Sequence, residues 1–179
     1  MRTPAGAPVG PRDLARAGAV TLAVLLAWVA GAHGDDAAAR AMLLRYAGSY
    51  DSAALLQEPA VRAELARLLR GERGHFERNL NVSGSVDVIG GVLAISGNAP
   101  HRGTEEEAVV CVVPPGSTVE AAILSQGVVT VFTRAPEYAH ATRCVKDWIT
   151  LANAGHVDRL KQPGNVRLAR PPPAGDPPR

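Results

Sequence analysis

Six consecutive apolar residues, Ala108-Val109-Val110-Cys111-Val112-Val113, constrain this 179-residue chain more than any other segment. Successive side chains of a strand point to opposite faces, so an unbroken apolar strand is buried on both faces or lies at the centre of a sheet. The flanking sequence supplies the neighbours. Val86-Asp87-Val88-Ile89 and Val92-Leu93-Ala94-Ile95 flank Gly90-Gly91, a two-residue hairpin signal. Pro114-Pro115-Gly116-Ser117 turns the chain into Thr118–Leu124, and Ser125-Gln126-Gly127 turns it again into Val128–Thr133. Five short strands joined by tight turns predict an antiparallel meander.

Helical patterns bracket the strands. Asp51 and Ser52 offer a cap ahead of Ala53-Ala54-Leu55-Leu56. Pro59 suits the first position of a second helix, where its missing N–H costs nothing. Val61, Leu65, Leu68 and Leu69 then recur on one helical face, and Gly71 is the expected stop. A short helical turn is predicted around His75–Leu80. A last helix is predicted over Glu137–Ala154, with Tyr138, Ala141, Val145, Trp148, Ile149 and Ala152 as its apolar stripe. The expected fold is α+β: a five-stranded antiparallel sheet with helices on one face, N- and C-terminal helices flanking the strands.

The ends read differently. Residues 1–34 have the plan of an export signal. Arg2, Arg12 and Arg16 come first, then an uncharged stretch from Ala17 to Ala32, then small residues suited to cleavage after Ala32 or Gly34. The alternative is an uncleaved anchor, although the apolar run is short for a bilayer span. If the signal is cleaved, no stable membrane anchor remains, and the protein is expected to be periplasmic or secreted. Residues 155–179 hold Pro163, Pro171, Pro172, Pro173, Pro177 and Pro178 and read as a disordered tail. One domain, residues 35–154, lies between, a length suited to a single core.

Charge excludes one class of partner. The whole chain is +2, but residues 35–154 hold 11 basic and 14 acidic residues. A clustered basic face is missing, so no nucleic acid is expected, and a cationic partner is favoured instead. Two cysteines, Cys111 and Cys144, survive signal cleavage. In an exported chain they predict a disulfide; two buried thiols are the alternative.

Catalytic signals are weak. His33 lies at the cleavage region, and His75, His140 and His156 stand alone near helix ends. Zinc needs three or four ligands at defined spacing, which nothing here supplies. Ser125 lies outside any G-x-S-x-G elbow, and no phosphate-cradling glycine loop is present, so no metal or cofactor is expected. The long polar interruption between strands, Gly97-Asn98-Ala99-Pro100-His101-Arg102-Gly103 followed by Thr104-Glu105-Glu106-Glu107, is the candidate site. Loops held by a rigid sheet are where binding residues concentrate. Asn98, Pro100, His101, Arg102, Glu105 and Glu106 are its candidate contacts.

That loop, with the order of elements around it, resembles the Ivy proteins, periplasmic inhibitors of vertebrate lysozyme. Their loop has the form C-K-P-H-D-C-G and precedes an apolar strand; here Pro100 and His101 match and Ala108-Val109-Val110 follows. The resemblance implies that the loop enters the lysozyme cleft and that His101 contacts the catalytic carboxylates. Both loop cysteines are missing, Asn98 standing at the first, and Arg102 stands where the family has an acid. Without that cystine the loop's ordering cost on binding rises. The expectation is a non-enzymatic exported envelope protein that inhibits a lysozyme or another cell-wall hydrolase through the loop around His101. The alternatives are a structural or assembly module of the envelope, and an undetected hydrolase using His101 and a nearby glutamate.

Overall fold

The chain divides into two units, residues 1–38 and 39–179. The structure, a computed structural model, describes residues 36–116, 118–153 and 162–171, so the expected export signal lies outside the described residues. The second unit contains α1 (Ser52–Gln57), α2 (Pro59–Leu69), α3 (Arg73–Asn79) and α4 (Arg143–Ala152). Its strands are β1 (Val82–Ser83), β2 (Asp87–Ile89), β3 (Val92–Asn98), β4 (Glu106–Val113), β5 (Thr118–Ser125), β6 (Val128–Phe132) and β7 (Val166–Ala169).

Local chemistry accounts for the helices. Asp51 accepts from the Ala54 N–H at 3.2 Å and caps α1, and Pro59 opens α2. Val61, Leu65, Leu68 and Leu69 are buried along α2, as their spacing predicts. Glu64 is buried with them, held by Arg134 and, at 3.4 Å, by Arg67. Gly90 and Gly91 both take positive φ, as a tight hairpin between β2 and β3 requires.

The fold is α+β and the sheet largely antiparallel, but among the described residues it has seven strands rather than five. Its order is β1-β3-β4-β5-β6-β7, with β2 beside β1 on the outer edge of β3. The two unforeseen strands are short. β1 pairs only Val82 and Ser83 with Asn98 and Gly97. β7 arises within the proline-rich segment expected to be disordered, and runs parallel to β6, Val129 opposite Val166 and Phe132 opposite Ala169. Pro163 and Pro171 flank it without entering it, so no ladder bond is lost.

Helices cover both faces of this sheet, not one. Ala108, Val110 and Val112 of β4 share a core with α1, α2 and α3, through Leu55, Leu65 and Phe76. Val109 and Cys111 face the opposite way, toward Cys144, Val145, Trp148 and Ile149 of α4. A strand apolar on every residue needs cover on each side, and a single helical layer leaves half of β4 in water. Cys111 and Cys144 are joined as a disulfide across the α4 side, with Cα atoms 6.1 Å apart.

The last helix is also shorter than its apolar stripe suggests. A single 3₁₀ turn, Tyr138–His140, precedes an extended Ala141-Thr142, and α4 begins only at Arg143. Glu120, a buried acid in the middle of β5, explains the break. It accepts from the Thr142 N–H at 2.8 Å, the Thr142 hydroxyl at 2.6 Å and the Thr133 hydroxyl at 2.7 Å. Thr142 is thereby fixed as the N-cap of α4, its Oγ accepting from the Val145 N–H.

Candidate functional site

The polar loop joins the antiparallel strands β3 and β4. Its base is narrow. The Ala99 N–H donates to the Glu106 carbonyl at 2.9 Å, and the Ala99 side chain is buried. Within the loop, Arg102 N–H donates to Ala99 O at 3.0 Å, and Glu106 N–H returns to Arg102 O at 3.0 Å. Pro100, His101, Arg102, Gly103, Thr104 and Glu105 are exposed.

Two of these residues sit in the left-handed region, His101 at φ 62° and Thr104 at φ 70°. Histidine tolerates it; for β-branched Thr104 it is strained. The Thr104 N–H is held by the Glu107 carboxylate at 2.8 Å, which secures that turn. Arg102 pairs with Glu105 at 3.1 Å across the loop, both side chains mostly in solvent.

Gly97, just before the loop, has a packing reason to be glycine. A Cβ there would lie 2.6 Å from the Val82 carbonyl oxygen of β1. The close approach lets the edge strand seat against the loop's N-terminal base.

The predicted contact residues separate into two groups. Pro100, His101, Arg102 and Glu105 are presented to solvent. Asn98 turns back, its Nδ2 donating to Ala99 O at 2.8 Å. Glu106 also points inward, into a cluster unforeseen from sequence. Its Oε2 lies 3.0 Å from His75 Nε2 and 3.1 Å from Asn79 Nδ2, while Ser125 Oγ donates to Oε1 at 2.8 Å. Burial alone would raise the Glu106 pKa, but the hydrogen bonds from His75, Ser125 and Asn79, with the charge of His75, hold it at about 2. His75, expected alone on the surface, instead has Glu106 at one ring nitrogen and Glu72 at the other, 3.3 Å away.

This cluster has the residue types of a hydrolytic triad in the wrong order. The carboxylate stands between serine and histidine, so Ser125 Oγ faces the Glu106 carboxylate and not the His75 imidazole. His101 is not part of it. The cluster borders a cleft of ≈ 440 Å³ lined by Glu72, His75, Ser125 and Thr130 above an apolar floor that includes Ile123 and Phe132. Among the described residues, no group of three or more His, Cys, Asp or Glu is placed to hold a metal ion. No described helix is long and apolar enough to cross a membrane.

One signal for the cluster was present in the sequence. Asn79 falls on the apolar face of α3 with Phe76 and Leu80, and a polar residue in such a stripe needs a buried partner. Its partners, Glu106, Glu107 O and Leu124 O, are 27, 28 and 45 residues away.

Fold and site together define a class: an α+β protein whose doubly covered sheet presents a pinned, exposed, turn-rich loop. Over residues 60–154, more than half its length, the chain matches the family described as inhibitor of vertebrate lysozyme (Ivy), and it belongs to that family. The match spans the loop, the sheet from β1 to β6 and α4. No curated protein and no solved structure matches the chain.

Proposed function

We propose that this protein is an exported inhibitor of a lysozyme, acting in or beyond the bacterial envelope, and that it works by placing residues 99–105 in the enzyme's active-site cleft. One observation carries the reading: His101 stands exposed at a strained turn whose two ends are tied together by the Ala99–Glu106 hydrogen bond. Strained, exposed residues on a fixed base are characteristic of binding sites, because the ordering cost is met at folding rather than on binding. Family membership supplies the class of target.

In this arrangement the imidazole of His101 donates to the carboxylates of the enzyme's cleft, as a charge-assisted hydrogen bond when protonated. The acidic balance of residues 35–154, 11 basic against 14 acidic residues, attracts a cationic enzyme over longer range. On the loop itself Glu105 balances the charge of Arg102, so the loop does not repel that approach.

The test is inhibition of c-type lysozyme by the purified protein in a cell-wall lysis assay, with His101→Ala beside the wild type. Inhibition by the wild type, with affinity lowered at least about tenfold in His101→Ala, is the expected result. Equal inhibition by both would refute insertion of this loop; no inhibition of any muramidase would refute the function.

A further inference from the structure

His75 and Asn79 lie outside the exposed loop, on the opposite side of its base, and no feature of the proposed contact with lysozyme uses them. Both sit on α3 and both reach β4 where the loop ends. Asn79 is fully buried, and its Nδ2 faces three oxygens: Glu106 Oε2 at 3.1 Å, Glu107 O at 3.4 Å and Leu124 O at 3.3 Å. All three accept, so the amide orientation is determined. His75 Nε2 approaches the same Glu106 Oε2 at 3.0 Å, and Ser125 on β5 holds the other oxygen at 2.8 Å. Two elements, α3 and β5, therefore converge on one carboxylate at the residue whose backbone closes the loop.

We infer that His75 and Asn79 are positioning residues for the loop: they fix Glu106, and through it the register and rigidity of residues 99–105. The physical argument is one of constraint. Glu106 takes part through both of its ends. Its backbone N–H and C=O close the loop onto Arg102 and Ala99, while its side chain is anchored to α3 and β5. Rotation of Glu106 that opens the loop must break the side-chain bonds too, in a partly desolvated site where unmet partners are costly. The only covalent cross-link, Cys111–Cys144, joins β4 to α4 on the other face and leaves the loop unconstrained. Anchoring by α3 and β5 thus adds to the loop's own hydrogen bonds in keeping His101 at a defined place.

The effect on inhibition rests on the proposed function; the effect on the free protein does not. Amide hydrogen exchange of the free protein is the first measurement, following Arg102, Glu105 and Glu106. His75→Ala and Asn79→Ala are each expected to speed exchange at these amides about tenfold, with β5 and β6 amides unchanged. His75→Gln, which keeps a donor toward Glu106, is expected to restore protection. In binding kinetics with c-type lysozyme, His75→Ala is expected to raise the dissociation rate about tenfold and leave association alone. Unchanged loop exchange in both alanine variants overturns the inference, as does acceleration spread evenly over β4, β5 and β6. A looser loop with an unchanged dissociation rate overturns its bearing on inhibition. If the wild type does not bind lysozyme, the proposed function fails while the exchange result still decides the positioning role.

Discussion

Cys111 of β4 and Cys144 of α4 form a fully buried disulfide, 33 residues apart in sequence, that fastens the C-terminal helix to the central strand. It lies on the sheet face turned away from α3 and contributes nothing to the base of the 99–105 loop. Replacing both cysteines by alanine is expected to lower the unfolding free energy by about 3–4 kcal/mol, the chain-entropy value for a loop of this length. Denaturant titration measures that. Lysozyme affinity, assayed where the variant is still folded, is expected to stay within about twofold of wild type.

Glu120 bears the next prediction. It is buried and accepts three hydrogen bonds, two of them from Thr142 at the start of α4. Glu120→Ala leaves those buried donors without a partner, at about 1–3 kcal/mol for each one left unsatisfied, and is expected to cost about 3–5 kcal/mol in all. Thermal unfolding would show it as a lowered Tm. Thr142→Ala removes one donor and the cap, and is expected to cost less, about 1–2 kcal/mol.

Acid should expose the Glu106 cluster. The folded-state pKa is lowered to about 2 from 4.5, so the ionised group stabilises the fold above pH 4.5 and loses that contribution as pH falls toward 2. Stability of the wild type measured between pH 5 and pH 2 is expected to fall more steeply than that of Glu106→Gln, which has no proton to take up at this site. Equal slopes for the two proteins would contradict the depressed pKa.

At Gly97 the expectation is steric. A methyl group would meet the Val82 carbonyl at 2.6 Å, so Gly97→Ala must push β1 away from β3. A cost of about 1–3 kcal/mol is expected, with hydrogen exchange quickened at β1 and at Ala99 before the rest of the sheet.

Long-range attraction gives a kinetic prediction. Glu105 is exposed and on the loop, so Glu105→Gln is expected to slow association with a cationic lysozyme about two- to threefold at low salt. The difference is expected to vanish as ionic strength rises, with dissociation unchanged, since the Arg102–Glu105 pair is too exposed to hold the loop by itself.

Much of this protein was legible in its sequence because the signals were periodic and local. The stripe of α2, the Gly90-Gly91 hairpin and the runs of β4, β5 and β6 each follow from which side chains must leave water within a few residues of one another. The cystine was legible too, from two cysteines in a chain expected to be exported, and so was the loop, as the polar break in a series of strands. Tertiary structure decided what such patterns do not encode. An apolar β4 requires cover on both faces, but only the packed fold shows α3 on one side and α4 on the other. Val166–Ala169 becomes a strand because β6 offers it an open edge, a partner 37 residues away in the Val129–Val166 pair. Glu106, one of three consecutive glutamates, is distinguished from its neighbours only by His75, Asn79 and Ser125, which folding brings from two distant segments. Hydrophobic burial leaves a repeating trace along the chain; a buried charge is satisfied by a few groups at particular points in space, and their spacing in sequence follows no period.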